Sequence, residues 1–473
     1  MGKLIPINCL EVLPGDTFDH STNLLIRVSP LTAPVMHPVE ARIHHFYVPN
    51  RLVWDGWEDF ITGGPDATDT STPPVVNTST SLEIFDYLYH VKVSGVAVSQ
   101  LPLRAYNMIF NEYYRDQDLV DEVGEATKEI QDIAWGKDYF TSARPWPQKG
   151  DDVTLPVGAK APVSGIGYAS QSYPNNGATI YEGGGSTRTI GDYAQNNATT
   201  SDNTFLVEED PDNPGFPNIY ADLSAATAIP INDLRKAFAL QRWQEARAKY
   251  GSRYVEYLRY CGVTSSDGRL DRPEYLGGGK TNINFSEVLQ TERSNGTPAS
   301  GDYSVGDMYG HGIAAMRSNR YRRFFEEHGM VISMLSVRPR TMYQDGIHRS
   351  WMKDNREEFF QKELEAIGQQ EIWQNEIFAD SANDKEDVFG YQDRYSEYKY
   401  HPSRVCGDFR DTLDYWHMGR KFSTAPALND TFINCDATKR IHNVQSEDVL
   451  WVMAQNKIVA RRPVRKSSSN RIM

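Results

Sequence analysis

Residues 329–337 read GMVISMLSV, a largely apolar run that is ended by Arg338 and Pro339. A short apolar run without regular polar alternation is typical of a β-strand that is buried on both of its faces. Such a strand must have packed layers above and below it. We therefore predict that residues 329–337 form a central strand of a β-barrel.

Two further segments predict strands far from this one. Residues 39–48 (VEARIHHFYV) alternate apolar and polar side chains, which is the period of a half-buried strand, and residues 450–458 return to a strand pattern. His44 and His45 are adjacent in the first segment, so we expect them to point to opposite faces. That geometry favours ordinary packing or a hydrogen bond over a shared metal site.

The wide separation of these strands predicts the fold class. A chain of 473 residues is long enough for two or three average domains, or for one all-β domain with large insertions. An antiparallel jelly roll tolerates insertions because its strands are joined at the ends of the barrel, where added chain does not disturb strand pairing. We predict an all-β-dominated, eight-stranded antiparallel jelly roll with long inserted loops and short helices.

The composition excludes several classes of protein. No apolar run approaches the roughly 18 residues that a membrane helix needs, and the first residues lack the layout of a signal peptide, so no membrane insertion is expected. The net charge is −14, which argues against a protein that coats nucleic acid unaided, since such binding depends on Lys and Arg.

Residues 150–230 form the compositional outlier of the chain. Between residues 151 and 230, 37 of 80 positions are Gly, Pro, Ser, Thr or Asn, and ten acidic residues outnumber two basic ones, which gives −8. This composition cannot pack a large core alone, so a disordered linker is one interpretation. Scattered aromatic residues favour the other interpretation, a surface protrusion that is ordered by contact with copies of itself.

Residues 231–280 predict a helix–loop insertion with subunit contacts. A helix should end at Gly251, and a second short helix places Tyr254, Tyr257, Leu258 and Cys261 on one face, which must bury against something. Residues 269–280 (RLDRPEYLGGGK) then predict a loop, because a proline bars helix and three glycines allow another backbone to approach closely. Residues 281–319 also carry a loop-like pattern.

Several segments together resemble one family. They are EVLPGDTF (residues 11–18), FYVPNRLVW (46–54), LPLRAYNMIFNEYYRDQD (101–118), RLDRPEYLGGGK (269–280) and FGYQDRYSEYKYHPSRVCGDFRDTLDYWH (389–417). In this order they resemble the major capsid proteins of the Microviridae, the small single-stranded DNA phages, in the gokushovirus branch. The resemblance spans nearly the whole chain apart from residues 150–230, where that family is expected to vary.

The resemblance implies a structural role in the virion. It implies that residues 1–473 form a single jelly-roll capsid domain, which self-assembles in the host cytoplasm into a T=1 icosahedral shell around circular single-stranded DNA. It also implies a small basic DNA-binding peptide, a pilot protein and a host surface receptor as partners. Within the insertion at residues 150–230, the candidate host-facing residues are Tyr173, Tyr181 and Tyr193. The candidate subunit contacts are Arg272, Pro273, Tyr275 and Leu276.

Basic residues near the C-terminus are candidates for facing the DNA. Arg461, Arg462, Arg465, Lys466 and Arg471 lie in a tail without acidic residues. Such a tail on an acidic protein suggests a polyanion on the inner side of a shell, although a solvated terminus is an equally open interpretation. Charge alone adds Arg320, Arg322 and Arg323 as possible phosphate contacts.

A phage glycan-binding adhesin or depolymerase is the alternative class. Glycoside hydrolysis needs two carboxylates on either side of a bond, but pairs such as Glu357 and Glu358 or Asp411 and Asp414 arise by chance among 63 acidic residues. The sequence contains no nucleophile elbow or HExxH motif, and the four cysteines lack zinc spacing. We therefore expect no enzyme, no cofactor and no metal.

Overall fold

The computed structural model describes residues 1–464 with gaps at 80–81, 91, 154–162, 165–176, 182–186, 192–219, 222–230, 292–304, 366 and 384–386. Its contacts divide the chain into two compact units, Met1–Lys149 with Gln244–Met473, and Gly150–Trp243. The second unit contains, in its described part, two short antiparallel strand pairs and the beginning of a long helix. The structure is strand-dominated, with few and mostly short helices, as the sequence predicts.

The strands, in chain order, are β1 (Leu4–Val12), β2 (Thr17–Val28), β3 (Val39–Pro49), β4 (Val75–Asn77), β5 (Ala97–Ser99), β6 (Val163–Ser164), β7 (Gly177–Tyr181), β8 (Thr187–Gly191), β9 (Tyr220–Ala221), β10 (Glu274–Leu289), β11 (Met308–Arg317), β12 (Tyr321–Phe324), β13 (Gly329–Pro339), β14 (Gln369–Trp373), β15 (Val388–Asp393) and β16 (Leu450–Arg461). The α-helices are α1 (Asn50–Val53), α2 (Trp57–Thr62), α3 (Ile84–Tyr87), α4 (Leu101–Ile109), α5 (Ile231–Tyr250), α6 (Tyr254–Tyr260), α7 (Gln374–Ile377) and α8 (Asp430–Ile433). A π-helical turn (Phe110–Tyr114) continues α4, and 3-10 turns lie at Asp267–Leu270, Arg349–Trp351, Arg356–Glu358, Lys362–Leu364, Ser396–Tyr398, Gly407–Arg410 and Asp414–Trp416.

Eight strands form one antiparallel sheet that curls into a barrel. Its order is β1–β13–β3–β10–β11–β2, and both β12 and β16 pair with β2. Strand β10 pairs with β3 through residues 274–283 and with β11 through residues 284–289, so it passes from one half of the barrel to the other. This nearly closed antiparallel sheet confirms the predicted jelly roll with insertions.

The barrel is open along one seam, between the edges of β1 and β16. The Asn456 side-chain amide of β16 donates a hydrogen bond to the carbonyl oxygen of Ile7 in β1 at 3.0 Å. Toward the other end of the seam lies a cavity of about 690 Å³, whose apolar lining includes Ile5, Leu335 and Val452. The barrel therefore closes through side chains at this seam rather than through a continuous ladder.

Strand β13 is buried on both faces, as predicted. Its Leu335 and Val337 point into the barrel and join the core formed with β2, β3, β10 and β11. On the other face, Ile332 and Met334 pack against α4 and its π-helical continuation. Tyr106 of α4 fixes this outer layer, because its hydroxyl donates to the carbonyl oxygen of Leu4 at 2.9 Å. The β1–β13–β3 half of the barrel therefore carries a second layer.

The other half of the barrel leaves its outward face exposed. Along β16, the side chains of Trp451, Met453 and Val459 are 54%, 68% and 63% exposed. Along β2, Arg27 is also exposed. No described helix is long and apolar enough to cross a lipid bilayer.

The predicted loop at residues 269–280 and the loop-like interpretation of residues 281–319 are wrong for most of the residues that the structure describes there, while residues 292–304 lie outside the described residues. Glu274–Leu289 is strand β10, and Met308–Arg317 is strand β11. The glycines do admit a second backbone, but it is that of β3 in the same chain. A Cβ atom on Gly278 would lie 2.1 Å from the Ile43 carbonyl oxygen. The sequence pattern predicted a loop because much of β10 is exposed and its residues do not alternate between apolar and polar.

Polar side chains fill one end of the barrel interior. The Nδ1 atom of His45 lies 2.7 Å from Ser333 Oγ, and its Nε2 atom lies 3.2 Å from Ser318 Oγ. His44 points to the opposite face, where its Nδ1 atom lies 2.7 Å from Tyr114 Oη. This confirms the predicted opposite orientation of the two rings. Burial lowers the pKa of His45 to about 3 and that of His44 to about 4.

Replacing Gly278 with alanine should destabilise the barrel, because the new methyl group would collide with the backbone of β3. We expect Gly278→Ala to lower the free energy of unfolding by about 1–3 kcal/mol or more, measured by urea denaturation. Gly268→Ala is the control, since a Cβ atom there meets nothing within 4 Å. Equal unfolding midpoints for the two variants would contradict this account of the glycine.

The buried histidines should make the barrel sensitive to acid. Between pH 6.5 and the lowered pKa of about 3, the unfolded chain binds a proton at His45 that the native chain does not. The free energy of unfolding should therefore fall as the pH drops below about 6.5, by up to ~1.4 kcal/mol per pH unit for each such ring. His45→Gln should give a shallower pH dependence in urea titrations, whereas the exposed control His311→Gln should not; equal slopes would refute the assignment.

Candidate functional surfaces

Helix α6 and the last residue of α5 present an exposed group of aromatic rings. Tyr254 is 64% exposed, and Tyr250, Tyr257 and Tyr260 are 48%, 46% and 46% exposed. The rings of Tyr254 and Tyr257 lie nearly parallel with centroids 6.5 Å apart, and those of Tyr250 and Tyr260 are 4.6 Å apart. We call these four residues the tyrosine surface. Part of the apolar face that the sequence predicts for α6 is therefore left uncovered by the described residues of the chain.

The opposite side of α6 is fixed to the body of the protein. Val255 is buried, and the Arg253 guanidinium donates to the carbonyl oxygens of Asn111 at 2.5 Å and Arg115 at 3.1 Å. The Glu256 carboxylate accepts a hydrogen bond from the Arg253 backbone N–H at 3.0 Å, which caps the helix. The tyrosine surface is thus held by a helix whose orientation is set before any partner binds.

The four predicted subunit contacts occupy two different environments. Arg272 and Pro273 are buried in the chain itself. The Arg272 guanidinium lies 4.4 Å from the centre of the Tyr113 ring, and the Tyr113 hydroxyl donates to the Pro273 carbonyl oxygen at 2.5 Å. Tyr275 is 47% exposed and Leu276 is half-buried. Their role in subunit contact stays a prediction, and Tyr275 offers it the most surface.

The predicted DNA-facing tail is described only at its beginning. Arg461 is exposed at the end of β16. Arg462 turns back onto the barrel, where its guanidinium donates to the Glu11 carbonyl oxygen at 2.5 Å and lies 3.4 Å from an Asp16 carboxylate oxygen. The remaining tail residues, Arg465, Lys466 and Arg471, lie outside the described residues. So do the candidate host-facing Tyr173 and Tyr193, while Tyr181 is described only as part of the backbone of β7.

The arginine cluster at residues 320–323 is partly neutralised. The Nε and one terminal nitrogen of the Arg320 guanidinium donate to the two oxygens of the Asp19 carboxylate, and this pairing lowers the pKa of Asp19. Arg323 forms an ion pair with Glu274 at 2.7 Å. Arg322 is exposed and forms no ion pair within the described part of the chain. The structure therefore leaves one of the three arginines free for another anion.

Strand pairing brings together basic residues that the sequence keeps far apart. Across β11, β2 and β16, the register places Ile313, Arg27 and Trp451 side by side. Two residues along, Ala315, Leu25 and Met453 form the next row, and Arg317, Asn23 and Gln455 the third. We call the outward residues of β2, β11, β12 and β16 the open sheet face. Sequence reasoning missed Arg27, Arg317 and Lys457, although each occupies an outward position of a strand.

One cavity is lined by carboxylates, as an active site for hydrolysis would be, but these carboxylates form internal ion pairs. It has a volume of about 250 Å³ and is lined by Glu376, Glu397 and Tyr139, among others. The Glu376 carboxylate lies 3.0 Å from the Arg349 guanidinium, and Glu397 lies 2.7 Å from Lys353 Nζ. All four side chains are at most 5% exposed. Both carboxylates thus balance buried cations, which does not favour a role in hydrolysis.

The acidic pairs named in the sequence analysis also contain carboxylates with ordinary surface partners. Glu358 accepts hydrogen bonds from the backbone N–H groups of Asp354 and Asn355, and Asp414 lies 3.6 Å from Lys421 Nζ. Among the described residues, no three His, Cys, Asp or Glu side chains converge to hold a metal ion. The four cysteines are free thiols, and burial raises the pKa of Cys9 and Cys435 to about 12.

Comparison with known proteins points to viral coats. A sequence model of the capsid protein (F protein) family matches residues 1–466. A capsid protein VP1 of Bdellovibrio phage phiMH2K is 36% identical over 466 residues, which cover 91% of this chain and 84% of the relative. A capsid protein VP1 of Chlamydia phage 1 is 34% identical over 520 residues, covering 92% and 86%. A capsid protein VP1 of Spiroplasma virus 4 is 30% identical over 491 residues, covering 92% and 85%.

Truncating the tyrosine surface should weaken self-association without unfolding the chain. We expect the double variant Tyr254→Ala, Tyr257→Ala to lose at least tenfold in association, since buried tyrosines at an interface commonly contribute more than ~1 kcal/mol each. Analytical ultracentrifugation measures this loss, and urea denaturation should show an unchanged midpoint. The matched control Tyr254→Phe, Tyr257→Phe keeps both rings and should associate nearly as the original chain does. Unchanged association of the alanine variant would exclude this surface as a contact.

Proposed function

This chain belongs to the capsid protein (F protein) family, and we propose that it assembles into a T=1 icosahedral shell that packages circular single-stranded DNA. It is a structural protein of the virion and not an enzyme. The observation that carries the proposal is the family match over residues 1–466, which includes all eight barrel strands and the insertions between them.

The exposed aromatic rings support self-assembly on physical grounds. Tyrosine supplies a large contact area at low cost in side-chain entropy, and it is enriched at protein interfaces. The tyrosine surface exposes four such rings, three on α6 and one at the end of α5. A closed shell needs several different contacts on each subunit, with rotations that close rather than extend into a fibre. The tyrosine surface and the region around Tyr275 and Leu276 are two of the contacts that we propose.

The charge of the chain argues for a basic partner during packaging. At −14 per chain, a shell of these subunits carries a net negative charge, which opposes the packaging of a polyanion. A small basic DNA-binding peptide would supply the positive charge that the chain lacks, and a pilot protein completes the set of proposed virion partners. Assembly would take place in the host cytoplasm.

The insertion at residues 150–230 is the proposed host-facing element. It is the most acidic and most Gly-, Pro-, Ser-, Thr- and Asn-rich part of the chain, and it falls within the second compact unit. Tyr173, Tyr181 and Tyr193 are the proposed contacts with a host surface receptor. Glycan binding without catalysis is compatible with this role, because tyrosine rings can stack on sugar rings as they do on other apolar surfaces.

A phage depolymerase is the competing function. It would need two carboxylates that are free to exchange protons across a glycosidic bond. The carboxylates that line the cavity beside Tyr139 are both held by buried cations, and this favours the structural role.

Electron microscopy of the purified chain, expressed with and without the small basic peptide of its phage, tests the proposal. We expect closed shells of one size, and nuclease-resistant circular single-stranded DNA inside the shells formed with the peptide. Replacing residues 165–219 with a short Gly-Ser linker should leave the shells intact and abolish adsorption to host cells. A stable monomer that cleaves polysaccharide would overturn the proposal, and shells of the deletion variant that still adsorb would overturn the host-facing role alone.

A further inference from the structure

We propose that the open sheet face is the site where each subunit holds the single-stranded genome inside the shell. The inference rests on the proposed packaging function and gives that function a location and a set of residues. It goes beyond the predicted tail, because Arg461 is the one cation that the two share. The other cations of the face are Arg27, Arg317, Arg322 and Lys457 on paired strands, with Trp451 among them.

The outward positions of this half of the barrel are strongly biased toward positive charge. Strands β2, β11, β12 and β16 place five cations there, and Arg320 adds a sixth from the turn between β11 and β12. The outward cations are Arg27, Arg317, Arg322, Lys457 and Arg461. Asp19 is the acidic residue at these outward positions, and the Arg320 fork neutralises it. The open sheet face is therefore positively charged, although the net charge of the whole chain is −14.

The five outward cations lie on the surface of the barrel and not in its core. Within the described residues, none of them takes part in an ion pair. Arg27, Arg317, Arg322, Lys457 and Arg461 are also exposed. Desolvated or paired arginines hold a fold together, as Arg272 and Arg349 do here, whereas these five remain available to an external anion.

Exposed rings and apolar groups accompany the charges. Trp451 is 54% exposed and lies directly across from Arg27 in the strand register. Tyr309 and Phe324 are 37% and 55% exposed at outward positions of β11 and β12. Cations that follow the backbone, combined with aromatic rings on which bases stack, are the two parts of a sequence-tolerant site for single-stranded nucleic acid.

Charge complementarity favours a polyanion, and not the same face of a second copy of the chain, as the partner that binds the open sheet face. Two such faces would repel each other, and like charges brought together at an interface disfavour association. Among the described residues, α4 covers the opposite half of the barrel, and the open sheet face is the broad barrel surface that they leave for a partner of negative charge. The chain also continues from Arg461 of this face toward the basic residues of the tail.

Oligonucleotide binding by the purified chain tests the inference. Fluorescence anisotropy with a labelled oligo(dT) across a salt series gives both affinity and the number of phosphates engaged, since the logarithm of the binding constant falls by about 0.7 per phosphate for each tenfold rise in salt. We expect Arg27→Gln, Arg317→Gln, Lys457→Gln to weaken binding at low salt by more than tenfold and to reduce the salt slope by about 2. Trp451→Ala should weaken binding by about tenfold with an unchanged slope.

A matched control removes the same charge elsewhere. Arg356→Gln, Lys362→Gln, Lys399→Gln changes three exposed cations outside the barrel and should bind oligo(dT) as the original chain does. Equal losses in the two triple variants would overturn the site in favour of a general charge effect. The single variant Lys457→Glu provides the same test if the triple variant folds poorly.

Shell formation and DNA content of the particles show whether the proposed DNA-binding site is wrong or the proposed packaging function is wrong. If the open-face triple variant forms shells with the normal DNA content and binds oligo(dT) normally, the site is wrong and packaging stands. If that variant binds oligo(dT) normally but no longer forms shells, the face is a subunit contact, and the inference is again overturned. If the unmodified chain forms no shells, the packaging function itself fails.

Discussion

Burial of β13 on both of its faces is the constraint on which the rest of the molecule depends. Its inward side chains complete the barrel core, and its outward side chains, such as Ile332 and Met334, need a second apolar layer. The insertion between β3 and β10 supplies that layer through α4. Exposed instead to water, those outward residues would each forfeit roughly 1.5–3 kcal/mol of burial. The insertion therefore stabilises the barrel as well as extending it.

The two halves of the barrel differ because only one of them carries this cover. The outward side of β2, β11 and β16 alternates with the core as a simple half-buried sheet does, and its exposed positions include Trp451 and Arg27. An uncovered sheet face with large side chains is unusual for an isolated monomer, but it is ordinary for a subunit whose working state is an assembly. The tyrosine surface of α6 follows the same logic.

Polar groups in the structure divide sharply between those that hold the fold and those that face outward. Arg272, Arg349 and the ring of His45 are buried with partners, so they specify packing. Arg27, Arg317 and Lys457 have the same chemistry and none of those partners within the described residues. The type of residue therefore does not reveal its role. Burial and hydrogen-bond or ion-pair partners decide whether a cation stabilises the core or is available to bind a ligand.

The sequence by itself determined the strands whose apolar pattern is local: β13 through its largely apolar run and β3 through the alternation at its start. It failed for β10, because a strand with exposed faces and three glycines carries no such pattern. Only the tertiary structure decided that Arg272 lies inside the chain and that Arg27, Arg317 and Lys457 share one surface. The physical reason is that strand register joins residues hundreds of positions apart, and this long-range pairing leaves no trace in any short window of sequence.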